Sequence, residues 1–316
     1  MSTAGWLLVA LVGVGLIVWG AERFAEHLAA ASERLGVSSF ALALLLAGAE
    51  PEELATGVTA SLRGVPAIAF GDVIGANVAI CLVAIGVGAL VAPLPFGRRV
   101  RRYALAGLPL GALAAWTSWD GHVGRAEALV LVTAYAGFVA TIWVIERHPP
   151  TLGESSELAE ASSHDPPGRV GSDLMLLLAG VVAMAVGAYA LVEGIRRLSG
   201  VETTQTKLGL TVVGFATAFE LVVLAWSSAR RGITEAVVAA VVGSFAYNAT
   251  MTLGGAALAR PLRIAAASSL HVGWIAMVAA LGAVLIASVG GHITRRRALA
   301  LVALYPVFIV IVVVAP

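Results

Sequence analysis

The chain has 316 residues, of which 59% are hydrophobic and only 12% charged, with a formal net charge of +1. A soluble fold of this length cannot hide that much apolar surface, so the composition specifies an integral membrane protein whose main partner is the lipid bilayer. The near-neutral charge says nothing about nucleic acid and no basic run interleaved with aromatics points to one, so no nucleic-acid partner is expected, and a single cysteine, Cys81, excludes an internal disulfide or a cysteine-based metal cluster.

About ten apolar segments follow one another, near residues 5–30, 38–62, 66–92, 103–119, 126–146, 173–197, 206–229, 234–259, 266–289 and 295–315. Each is close to the roughly 20 residues that a bilayer requires. Ahead of the first, Met1 to Gly5 lacks a basic n-region, so Trp6 to Trp19 reads as a retained span rather than a secretory signal.

The second segment is interrupted by Gly48-Ala49-Glu50-Pro51-Glu52-Glu53-Leu54. Proline suits the first position of a helix, where its missing N–H has no partner anyway. Pro51 therefore predicts a helix broken near Gly48–Glu50 and restarted toward Glu52, with a helix N-terminus that favours nearby carboxylates. Irregular backbone at membrane depth is tolerated only where it is buried in protein or lines a cavity. The seventh segment carries a similar interruption, Ala216-Thr217-Ala218-Phe219-Glu220-Leu221.

Between the fifth and sixth segments lies an acidic stretch, His148 to Ser172, with Glu154, Glu157, Glu160 and the breaker run Asp165-Pro166-Pro167-Gly168. It reads as a flexible linker, and it lacks the spacing of a calcium-binding loop. With alternating spans, 13 of the 20 basic residues sort to one face and 7 to the other. The richer face is cytoplasmic by the positive-inside rule, which places the linker inside and both termini outside.

The two interruptions belong to an internal repeat. A spacing of 168 residues carries Gly48 onto Ala216, Glu52 onto Glu220 and Gly64 onto Gly232, without a gap through Leu94 and Leu262. A charge inside a lipid-spanning segment costs roughly 2.5–3.5 kcal/mol and marks an ion or substrate path. Five spans per half is an odd number, so the second half enters the membrane with opposite topology. The predicted fold is an all-α membrane protein of ten transmembrane helices: a first repeat at 1–147, the linker at 148–172 and an inverted second repeat at 173–316, with two broken helices at its centre.

The pattern Gly48 to Glu53, Leu54-Ala55-Thr56, Ala60-Ser61-Leu62-Arg63-Gly64 and Gly71-Asp72-Val73-Ile74-Gly75-Ala76-Asn77 resembles the first alpha-repeat of the calcium/cation antiporter superfamily, which includes sodium/calcium exchangers. That repeat has a Gly-Thr-Ser-x-Pro-Glu start, an Arg/Lys-Gly turn and a Gly-Asn-x-x-Gly-Ser-Asn segment. Thr217, Glu220, Arg231-Gly232, Gly243-Ser244 and Asn248 supply the second copy. The resemblance implies a secondary-active antiporter that exchanges Ca2+ or a similar divalent cation for Na+ or H+ by alternating access. It implies no enzymatic activity and no cofactor beyond the transported cations.

Carried over by residue, the resemblance pairs Glu220 with Glu52 or Glu53. Counting back from Gly64 selects Glu53, whereas the internal spacing selects Glu52. Glu50 is a further acid, and Asn77, Thr217, Ser244 and Asn248 complete the candidate ligands. Asp72 stands where the family has Asn and is a candidate proton partner; its repeat position is Ala240. Calcium takes 6–8 oxygens, which these groups and the unwound backbone can offer. Several hydroxyls of the family pattern are missing, and crowded carboxylates disfavour joint ionisation, so proton coupling or a monovalent cargo stays open beside calcium. Glu127, Glu193 and Glu235 fall near segment ends and read as interfacial, and the six histidines are scattered, which argues against a histidine metal site.

Overall fold

The computed structural model describes residues 2–35, 50–146, 170–232 and 234–314. The first half contains helices α1 (Thr3–Leu35), α2 (Pro51–Leu62), α3 (Pro66–Ala79), α4 (Ile85–Val91), α5 (Arg98–Thr117) and α6 (Arg125–Glu146). Short strands β1 (Leu94–Pro95) and β2 (His122–Val123) flank α5. The second half holds α7 (Val170–Leu198), α8 (Glu202–Leu208), α9 (Gly214–Thr217), α10 (Phe219–Arg231), α11 (Thr234–Tyr247) and α12 (Leu253–Ala259). It closes with β3 (Leu262–Arg263), α13 (Ser268–Ala287), β4 (His292–Ile293) and α14 (Arg295–Val314). Gly48, Ala49 and residues 148–169 of the predicted linker lie outside the described residues.

Among the described residues, eight helical stretches are long and apolar enough to cross a bilayer. Two of the ten predicted spans are not among them. Only Pro51–Leu62 of the second is described, and the fourth begins at Arg98 rather than near residue 103, so four arginines enter its first turns. Arginine is a good helix former, and apolar windowing does not register it.

The internal repeat is visible element by element. Helices α3 and α4 recur as α11 and α12 at a spacing of 168 residues. Even their wide π turns, Ile80–Ala84 and Asn248–Thr252, keep that spacing. Strand pairing crosses the halves: β1 pairs antiparallel with β4, and β2 with β3, so each half lends one strand to each ribbon.

Gly64 and Gly232, with φ of +70° and +81°, turn the chain after α2 and α10. Only glycine takes that left-handed conformation without strain.

Helices α1 and α7 run antiparallel and almost touch. A Cβ on Gly13 would lie 2.6 Å from the Gly187 carbonyl, and one on Gly20 would lie 2.7 Å from that of Gly180. Small residues permit such approach, and dispersion over the whole length then holds the pair together. Helix α3 is the opposite case, buried on every side from Ala67 to Ala79. It reads as apolar all round because it forms the centre of the core, with Phe70 and, across the repeat, Phe245 fully buried.

The two predicted helix breaks are unequal. In the first half Glu50 has left helical geometry (φ −112°, ψ 81°) and Pro51 opens α2. In the second, only Ala218 (φ −71°, ψ −7°) separates α9 from α10, and Glu202–Arg231 forms nearly one span. Phe219 stands in the place of Pro51, so no ring clashes with the preceding turn and no backbone N–H is lost.

Candidate functional site

The break before α2 sets the first group of acids. The Glu50 carbonyl accepts the N–H groups of Glu53 and Leu54, each at 3.1 Å, which starts the helix. Glu52 and Glu53 then fall in its first turn, where the helix dipole favours negative charge. All three are buried, Glu50 to 1% and the other two to 0% exposure. One turn on, the Thr56 hydroxyl donates to the Glu52 carbonyl at 2.8 Å.

Two hydroxyl–carboxylate contacts are among those that tie this half to the other. Ser244 on α11 donates its hydroxyl to the Glu50 carboxylate. Thr217, at the end of α9, donates to Oδ1 of Asp72 on α3 at 2.9 Å. Asp72 is brought there by the packing of α3 against the π turn that follows α8, where Gly71 meets Gly209. The Asn77 amide donates to the Phe245 carbonyl and to the Met277 sulfur, both at 3.4 Å. Asn248 heads a π turn, and its Oδ1 accepts from Thr252 at 3.2 Å.

Glu220 occupies the same place in α10 as Glu52 in α2, the second residue of the helix, but it is half-buried rather than enclosed. The other candidate ligands named from the sequence are buried inside the bundle, and Glu220, though half-buried as a residue, keeps its Oε2 buried as well. Among the described residues, no three acidic, histidine or cysteine side chains converge closely enough to share one metal ion. In this conformation Glu50 and Asp72 are held by cross-half pairs with hydroxyls.

What the arrangement offers is unsatisfied acceptor capacity. Both oxygens of Glu52, both of Glu53, Oδ2 of Asp72 and Oδ1 of Asn77 are buried without a hydrogen-bond donor. Leaving a buried polar group unpaired costs about 1–3 kcal/mol, and more when it is charged. No basic side chain pairs with Glu52, Glu53 or Asp72 among the described residues. Such a set is stable only when cations or protons supply the missing positive charge.

Glu193, near the end of α7, is drawn into an ion-pair network. It is 7% exposed and accepts Arg63, Arg196 and Arg197 at 2.7 Å each. The spacing of Arg196 and Arg197, three and four residues on, is legible in the sequence; Arg63 lies 130 residues away and is not. Thr252 and Met277 also escape a reading of the sequence, since single polar or sulfur side chains in apolar helices carry no pattern of their own. Glu127 does behave as a helix-end residue and accepts the Gly124 N–H at 3.0 Å. The Glu235 side chain lies outside the described residues.

Comparison with known proteins gives a consistent result. The family model described as sodium/calcium exchanger protein matches residues 5–144 and 172–314 and passes over the stretch where the sequence places the linker. The sodium/calcium exchanger MaX1 of Methanosarcina acetivorans is 24% identical, with 98% of this chain and 99% of that one covered. A structure of the sodium-calcium exchanger NCX_Mj aligns with a TM-score of 0.63 at 21% identity, over 98% of this chain and 99% of that one. The H+/Ca2+ exchanger CAX aligns with a TM-score of 0.74 at 19% identity, over 97% and 84%. At these identities the structural likeness is one of fold.

Proposed function

Because the chain belongs to the sodium/calcium exchanger family, we propose that it is a secondary-active antiporter exchanging Ca2+, or a similar divalent cation, for Na+ or H+. The observation that carries this reading is the set of buried carboxylate and amide oxygens without donors on Glu52, Glu53, Asp72 and Asn77. Calcium satisfies oxygens of this kind, taking 6–8 of them at about 2.3–2.6 Å.

In this mechanism Glu52 or Glu53 and Glu220 bind the cargo from opposite halves. Glu50, Asn77, Thr217, Ser244 and Asn248 complete the oxygen set, and access alternates as α1 and α7 slide past the site. The first repeat at 1–147 and the second at 173–316 are joined by a cytoplasmic linker at 148–172, with both termini outside a prokaryotic cytoplasmic membrane.

Flux into proteoliposomes tests the proposal. Calcium uptake driven by an imposed sodium or pH gradient supports it, and whichever gradient works names the counter-ion. Wild-type flux in Glu220→Gln would overturn it.

A second reading keeps the fold and changes the coupling: a proton-coupled carrier of a monovalent cation. It is favoured by Glu50 and Asp72, two extra buried acids each already engaged with a hydroxyl. Failure of calcium to compete with that cation for binding would select it. Absence of any gradient-driven flux would select a non-transporting membrane scaffold.

A further inference from the structure

We propose that the Arg63–Glu193 ion pair is a positioning contact of the transport cycle. It holds the α1–α7 pair against α2 in this conformation and lets go in the opposite one. This rests on the alternating-access reading above.

Arg63 caps the C-terminus of α2, and Glu52 and Glu53 open the same helix. Twelve helical residues span about 18 Å, so a pull on Arg63 is transmitted along a rigid rod to the acids. Glu193 lies on α7, and the Arg63 guanidinium reaches it at 2.7 Å while stacking 4.6 Å above the Tyr189 ring of the same helix. The contact is therefore two-pronged, charge plus cation–π. Because α1 and α7 touch backbone to backbone, anchoring α7 also anchors α1.

The internal repeat shows where the opposite state would be held. The 167-residue spacing that carries Gly13 onto Gly180 and Gly20 onto Gly187 carries Glu26 onto Glu193. The 168-residue spacing carries Arg63 onto Arg231. The sequence thus encodes the pair twice, at 63 with 193 and at 231 with 26. Arg63 and Glu193 are engaged in this conformation, and the Glu26 side chain lies outside the described residues. Helix α7 packs closely on α2, whereas the symmetry-related packing of α1 on α10 is sparse and Arg231 is exposed. An antiporter needs its two end states close in energy, and a pair exchanged for its symmetry mate lets each state hold without trapping the other.

The test is a distance measurement that needs no transported ion. Spin labels replace Val182 on α7 and Val223 on α10, both exposed, in a Cys81→Ala background, and pulsed EPR reads the populations in lipid. Arg63→Gln removes the link to α2 but leaves Glu193 bonded to Arg196 and Arg197, so the fold is preserved. Its expected effect is a two- to fivefold enrichment of a second distance, the range for a partly exposed ion pair, taken as roughly 0.4–1 kcal/mol. Arg63→Lys restores most of the original distribution, and Arg196→Gln leaves it unchanged. Calcium flux in Arg63→Gln shows an altered maximal rate with apparent affinity within about twofold of wild type. An unchanged distribution in Arg63→Gln, or an equal shift in Arg196→Gln, overturns the proposal. A chain that moved no calcium would overturn the proposed cargo and leave the distance result standing.

Discussion

In the two acid–hydroxyl pairs that cross the centre, the first half of the molecule contributes the acid and the second half the hydroxyl: Asp72 with Thr217 and Glu50 with Ser244. At a spacing of 168 residues the counterpart positions are Ala240 with Ala49 and Ala218 with Ala76. Each polar pair is thus present once, with two alanines at its symmetry-related place. Both copies, by contrast, keep the buried α3/α11 helix, the π turn and the glycine turn. Packing has to close in each half separately, so its requirements are duplicated. A ligand at the central axis is needed only once and can be lost from either copy.

The largest effect expected from probing this asymmetry is at the acids themselves. Glu220→Gln and Glu52→Gln each reduce calcium flux by at least the roughly 100-fold that outer-shell partners alone can cost. If Glu53→Gln abolishes flux and Glu52→Gln does not, the family register overrides the internal one. Next come the unequal pairs. Asp72→Ala leaves Thr217 without its carboxylate acceptor and lowers apparent cation affinity by about tenfold in a binding titration, whereas Ala240→Asp, its mirror, gives no comparable gain because no hydroxyl stands opposite. Equal and opposite effects at 72 and 240 would show the two halves to be interchangeable at the centre.

The smallest effect is at the turns. Gly64→Ala and Gly232→Ala both place a side chain at positive φ, costing about 1 kcal/mol. Gly64 costs more, because its new Cβ would meet the Arg260 guanidinium at 3.1 Å while that of Gly232 meets open space. Thermal unfolding in detergent reads the difference, and equal shifts would remove this distinction between the halves.

Much of this architecture is legible in the chain itself. Pro51 marks where α2 starts, because proline is favoured at the first position of a helix, where its missing N–H has no partner. The repeat places Glu52 and Glu220 at equivalent positions, and the structure keeps both as the second residue of their helices. The unequal depth of the two breaks is not legible in the same way. Small and acidic residues mark both interruptions alike, although the proline alone makes the first one sharp.

Glu193 shows the same division. Its charge is visible in the sequence, but its burial by three arginines depends on Arg63 arriving from another helix. By itself the sequence determined the membrane class, eight of the ten predicted spans, the 168-residue spacing and the inventory of acids, since these follow from hydropathy, backbone stereochemistry and spacing, which are local properties. Only the tertiary structure decided which acid meets which hydroxyl, which arginine from another helix reaches Glu193, and that α1 and α7 lock together. Those contacts join residues 130 or more positions apart, and their geometry is set by how closely helices can approach, which no single segment encodes.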